Sequence, residues 1–282
     1  MKLLSTLLLF VFCIQVTTAC SETIPINSKD RRQEVHDCKP LHIAVEEGKI
    51  NVVKKIIKTK TQKDQLTCIK YAIRQTAPIG GENQFQAFRY LAEQLIRMKL
   101  PDQQTILNDL LQNYAIVYLS ADLDYTEYLL SVGALPKKPN KSGWFPVTSA
   151  LWAVNDYGDC KTSRLLINAS SPEVLALQNK VGETALVQSV DRAGSCPDEL
   201  KLLVQKTAGL NLVDQDGNTA LHHVLMKMKR DINPVSQKQP YKVDLELLRI
   251  LLKRGASTKI PNKKSITSSQ LLRELKRKGC KC

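Results

Sequence analysis

The chain has 282 residues, 43% of them hydrophobic and 24% charged, with a formal charge of +14. That length can bury a large core in one array of elements. Beyond the N-terminus no segment carries the unbroken apolar run of about 20 residues that a membrane-spanning helix needs, which excludes such a span. The first residues read as a secretory leader. Lys2 supplies the positive start, Leu3 to Val16 is apolar apart from Ser5, Thr6 and Gln15, and Thr17-Thr18-Ala19 offers small residues at a cleavage point. The expected organisation is a signal peptide over 1–19, a linker over 20–36, a folded domain over 37–275 and a basic, cysteine-containing tail over 276–282.

Small residues followed by Cys20 resemble the lipobox of bacterial lipoproteins, in which that cysteine is acylated and becomes residue one. Thr17 stands where a large aliphatic residue is usual, with Val16 one place further back. Ordinary cleavage after Ala19 is the alternative. If Cys20 is acylated, Ser21 in place of an aspartate resembles outer-membrane sorting, facing the periplasm. Removing Cys13 with the leader and Cys20 by acylation leaves Cys38, Cys68, Cys160, Cys196, Cys280 and Cys282. Six is an even number suited to an oxidising compartment, and it allows fifteen connectivities.

Along the body of the chain one pattern recurs. Leu151, Leu186 and Leu221 are 35 residues apart, and two of them follow the same turn: Asn179-Lys180-Val181-Gly182-Glu183-Thr184 and Asp214-Gln215-Asp216-Gly217-Asn218-Thr219. Asn or Asp at the first place caps the turn, glycine at the fourth permits positive φ, and Thr184 or Thr219 caps the helix that follows. A second, leucine-rich helix is expected at Val52–Ile57, Tyr128–Leu130, Arg164–Ile167, Leu200–Val204 and Leu247–Leu252, with Gly133-Ala134 and Gly255-Ala256 ending two of them. The segments Ala77–Gln84 and Lys229–Val243 read as loops between helices. Asn262 to Thr267 reads as a degraded turn opening a C-terminal cap helix.

This pattern resembles the ankyrin repeat, best at Lys39-Pro40-Leu41-His42-Ile43-Ala44 and at Thr219-Ala220-Leu221-His222. The resemblance implies an all-α fold: a solenoid of about six helix-turn-helix repeats with short turn fingers and a cap helix. It implies a structural role for His42 and His222. It also implies binding of another protein on a concave surface of turn tips and first helices. The candidate contacts are Lys141, Trp144 with Phe145, Trp152, Asp156, Tyr157, Lys180, Glu183, Asp191, Arg192, Gln215, Asp216 and Asn218, with Lys227 also on that face. Trp152 stands at the histidine position and could equally be core.

The repeat register ranks the disulfides as Cys38–Cys68, Cys160–Cys196 and Cys280–Cys282. Repeats stack about 10 Å apart, so the first two pairings are expected to need displaced loops. Free thiols or an intermolecular bridge compete for the tail. The four histidines have no third ligand at metal spacing, and no nucleophile elbow, phosphate-cradling loop or HExxH helix is present. No catalytic residue, metal or cofactor is expected. From Lys253 to Cys282 ten lysines and arginines face Glu274 alone. That basic end is a solvated cap or a meeting point for anionic lipid, cell-wall polymer or an acidic partner; nucleic acid is excluded by export. Lipid-anchored periplasmic proteins of this type resemble immunity proteins that neutralise type VI secretion effectors, phospholipases among them. The alternatives are a support protein for an enzyme such as catalase and a secreted effector acting on host proteins.

Overall fold

Helix starts and stops in this chain are set by local chemistry. Thr184, Thr219 and Thr267 each accept a hydrogen bond from the backbone N–H three residues on, at 3.3, 3.4 and 3.3 Å. Gly133 and Gly255 close two other helices in the left-handed region, at φ +95° and +86°. The computed structural model describes residues 28–75, 81–114, 122–153, 160–190, 196–232 and 242–282. The leader, Cys13, Cys20, Ser21 and the candidate contacts Asp156, Tyr157, Asp191 and Arg192 lie outside them.

The described chain is helical and divides into two compact units, residues 1–100 and 101–282. In the first, α1 (Ser28–Glu46) packs on α3 (Gln62–Gln75), and α2 (Ile50–Lys58) packs on α4 (Glu82–Arg97). The linker expected over 20–36 is thus helical from Ser28. Pro40 lies inside α1. At Gly48, φ is +64° and an added Cβ would stand 2.8 Å from that of Asn83, so only glycine fits between the helix pairs.

The second unit holds α5 (Gln103–Tyr114), α6 (Asp122–Ser131), α7 (Pro146–Ala153), α8 (Lys161–Ala169), α9 (Pro172–Leu175), α10 (Ala185–Ser189), α11 (Pro197–Lys206), α12 (Ala220–Asp231), α13 (Lys242–Lys253) and α14 (Ser268–Arg277). Its packing is two-layered. One layer is the succession α5, α7, α10, α12, α14, each against the next; the other is α6, α8, α11, α13. Leu151, Leu166, Leu186, Leu203, Leu221, Leu251 and Leu271 are among the buried residues between and within these layers. Six helix pairs and a cap helix are therefore present among the described residues.

Four boundaries differ from expectation. Glu82–Gln84 begin α4, Lys229–Asp231 complete α12 and Lys242–Val243 begin α13 instead of lying in loops; Met228 is fully buried and Lys229 bridges to Glu274 at 2.7 Å, which holds the last turn of α12. The cap helix runs two residues past the expected domain end at 275. The register also shifts in one repeat. Counting from the turn at Asn140, Val147 and not Leu151 corresponds to Leu186 and Leu221. Val147 and Leu151 are one helical turn apart and both buried, so apolar pattern alone does not separate them.

Candidate functional site

Four turns in the second unit are built alike. The N–H of the first residue donates to the carbonyl four places on, in Asn140–Trp144, Asn179–Glu183, Asp214–Asn218 and Asn262–Ile266, at 2.8 to 3.0 Å. The first side chain folds over the loop. Asn179 Oδ1 accepts from Val181 and Glu183, Asp214 Oδ1 from Asp216 and Asn218, and Asn262 Oδ1 from Lys264 and Ile266, all between 2.8 and 3.0 Å. Backbone polarity within each turn is thereby satisfied locally.

Neighbouring turns are tied together. Asn179 Nδ2 donates to the Gly143 carbonyl at 3.0 Å, Gln215 N–H to Val181 at 2.8 Å, and Lys263 N–H to Asp216 at 2.9 Å. The approach is close enough that a Cβ on Gly182 would sit 2.9 Å from Asp214 Cα, and one on Gly217 2.9 Å from Lys263 N. His222 is fully buried. Its Nδ1 accepts from Thr219 N–H at 3.2 Å, which assigns the ring proton to Nε2, donated to Ile266 in the next turn at 3.1 Å. Burial pushes the imidazole below its usual pKa, against the Ile266 carbonyl and Asp214, which favour the charged form. His42 instead sets Nε2 3.3 Å from Glu46.

The candidate contacts sort into three groups. Lys141, Lys180, Gln215 and Asp216 are exposed at turn tips, and their side chains have no partner among the described residues. Trp144 and Trp152 are half-buried, with ring centroids 4.6 Å apart and Trp152 Nε1 donating to the Gln188 carbonyl at 3.2 Å. The remainder are occupied. Asn218 is 8% exposed and accepts from Asn262 Nδ2 at 2.9 Å, so it joins turns instead of facing outward. Glu183 is half-buried and accepts from Asn179 and Gln188 at 3.3 Å. Phe145 is buried because it stands at the turn position where Thr184 and Thr219 are also buried. Lys227 is buried and paired with Asp244 at 2.7 Å. In place of Trp152, Thr148 occupies the histidine register.

Two roles escaped the sequence reading. Gln188 joins Gly143, Glu183 and Thr148 at one junction, at 2.8 to 3.3 Å. His223, 35 residues on, reaches back to Asp214 Oδ2 at 2.7 Å. Their shared register was the available signal. Burial raises the Asp214 carboxyl pKa, but the Asn218 amide, His223 and the Asp216 amide outweigh it and hold it below the ordinary range. With the other oxygen committed to amides, the His223–Asp214 pair clamps the turn.

Cys38 and Cys68 are paired with Cα atoms 4.8 Å apart, Cys160 and Cys196 at 5.8 Å, and Cys280 and Cys282 at 5.2 Å. Displaced loops are not required for Cys38–Cys68, both of which lie within helices. The 10 Å pitch is an axis separation, and facing Cα atoms stand about 2.3 Å nearer on each helix, leaving roughly 5 Å. Cys160, Cys196 and Glu199 have metal-ligand spacing. The sulfurs are joined to each other and Glu199 Oε1 takes the Arg164 guanidinium at 2.6 Å.

Helix pairs in two layers, with fingers cross-linked from repeat to repeat, define an ankyrin-repeat fold. The solved ankyrin repeat domain of Bcl-3, a member of the IkappaB family, matches with a TM-score of 0.54 at 19% identity, covering 82% of this chain and 92% of that one. An ankyrin repeat protein of Acanthamoeba polyphaga mimivirus is 33% identical over 87 residues, 31% of this chain. The match spans only 17% of that viral protein's length. No family model matches the chain.

Proposed function

We propose that the chain is a protein-binding scaffold whose contact surface is centred on the turn tips of the second unit and the Trp144–Trp152 pair. The observation that carries this reading is the division of labour in the turns. Backbone and first side chain are consumed in holding each loop, while Lys141, Lys180, Gln215 and Asp216 project without partners among the described residues. A half-buried indole pair beside unpaired polar side chains has the composition of an interface centre. Asp156, Tyr157, Asp191 and Arg192, outside the described residues, are carried into the proposal as candidate contacts from the sequence alone.

In its finer form the proposal makes this an exported lipoprotein, acylated on Cys20 and held at the outer membrane facing the periplasm. There it binds and neutralises a toxic type VI secretion effector such as a phospholipase. A fixed polar surface close to the threatened membrane suits that task. The test is co-expression with the toxin encoded beside its gene. A stable complex and restored growth are expected, and Trp144→Ala should weaken binding about 30-fold or more, as for a central aromatic contact. A neighbouring toxin that neither binds nor is neutralised overturns the immunity reading.

A further inference from the structure

The basic residues of 253–282 share only the last turn tip, Lys263 and Lys264, with the proposed contact surface. Of its ten cations, Arg254 is used inside the fold, donating to the Val204 and Thr207 carbonyls at 2.6 and 3.0 Å. The single acid, Glu274, turns toward α12, where Lys229 lies at 2.7 Å, with Lys278 3.9 Å away. Lys259, Lys263, Lys264, Arg273, Lys276 and Arg277 are exposed and form no ion pair among the described residues.

These six share one substructure. The Pro261–Thr267 bridge and the Ser269 N–H to Thr258 bond of 3.0 Å fold the last turn onto the start of α14. On α14, Ser268, Leu271 and Leu275 are buried. Arg273, Lys276 and Arg277, three and four residues apart, line the opposite face. Arg273, Lys276 and Arg277 span four residues of this helix, about 6 Å along its axis, so they lie within one Debye length of about 8 Å at physiological salt and their fields add.

We propose that this face docks on the anionic headgroups of a phospholipid surface. From Lys242 to Cys282 there is no Phe, Tyr or Trp, so the face lacks both the aromatic anchors of a protein interface and the stacking platforms of a single-strand binder. What it offers is a dense field of long, adaptable cations, which a fluid layer of phosphate headgroups satisfies without a fixed pattern.

The experiment is vesicle flotation of the full chain, carrying Cys20→Ser throughout so that no acyl group contributes. Phosphatidylglycerol vesicles are compared with pure phosphatidylcholine at about 0.1 M salt. At least tenfold stronger partition onto phosphatidylglycerol is expected, falling with salt. Arg273→Gln/Lys276→Gln/Arg277→Gln should lose at least tenfold, while Arg273→Lys/Arg277→Lys keeps binding. Equal partition onto both vesicles, or an unchanged triple variant, overturns the proposal. So does tight binding to duplex DNA with none to anionic vesicles. The result is independent of whether the toxin is bound.

Discussion

Gly217 and Gly255 both take positive φ, at +79° and +86°, yet they differ in what surrounds them. A Cβ at Gly255 meets nothing within 4 Å, while at Gly217 it meets the backbone of Lys263 and Asn262 at 2.9 and 3.0 Å. Gly255→Ala should therefore cost about 1 kcal/mol of strain, and Gly217→Ala about 2–4 kcal/mol because a neighbouring turn must also move. Urea midpoints of the two variants measure the difference. His222 governs an acid sensitivity. Its native pKa is lowered from about 6.5, so the unfolded chain takes up the proton first. Its stabilising contribution is complete above about 6.5 and is lost as pH falls through the native value. Asp214, also lowered, adds a further loss only below about 3.8. Thermal midpoints should drop between pH 7 and pH 5, and His222→Gln should flatten that slope; an equal slope in both proteins refutes the assignment.

At the scale of the element, the turn is the unit most fully written in the sequence. Asn or Asp, then glycine, then threonine specifies a cap, a positive φ and a helix start, all within six residues. That is why Asp214 to Thr219 and Asn179 to Thr184 were legible in full. Contacts between turns were not, since they depend on which residue the next repeat presents. Asn218 reads as a free tip residue until Asn262 is seen to reach it. Phe145 and Leu151 were misplaced for a related reason: an apolar helix face repeats every three to four residues, so it fixes the face but leaves the register open by one turn. The same division sets a prediction. Asn179→Ala removes three bonds inside its turn and one to Gly143, whereas Asn140→Ala removes one bond to Trp144. The first should cost about 1–2 kcal/mol and the second about half that, read from urea unfolding.

For the whole molecule, the two compact units carry one long-range cysteine pair each, spanning 30 and 36 residues. Loops of that size confer about 3–4 kcal/mol when closed. Both tryptophans, Trp144 and Trp152, lie in the second unit, so indole fluorescence reports on it selectively. Cys160→Ser/Cys196→Ser should lower the fluorescence-detected urea midpoint strongly, while Cys38→Ser/Cys68→Ser should shift the circular dichroism transition more than the fluorescence one. The way Asn179 reaches Gly143, Gln215 reaches Val181 and Lys263 reaches Asp216 has a wider consequence. Each finger needs only its immediate neighbour. A second copy of residues 179–213 with its cysteine replaced by serine, spliced in tandem, would present the same kinds of backbone donors and acceptors at both seams. Such a chain can lengthen by gene duplication, gaining a new recognition tip each time without redesigning its interior.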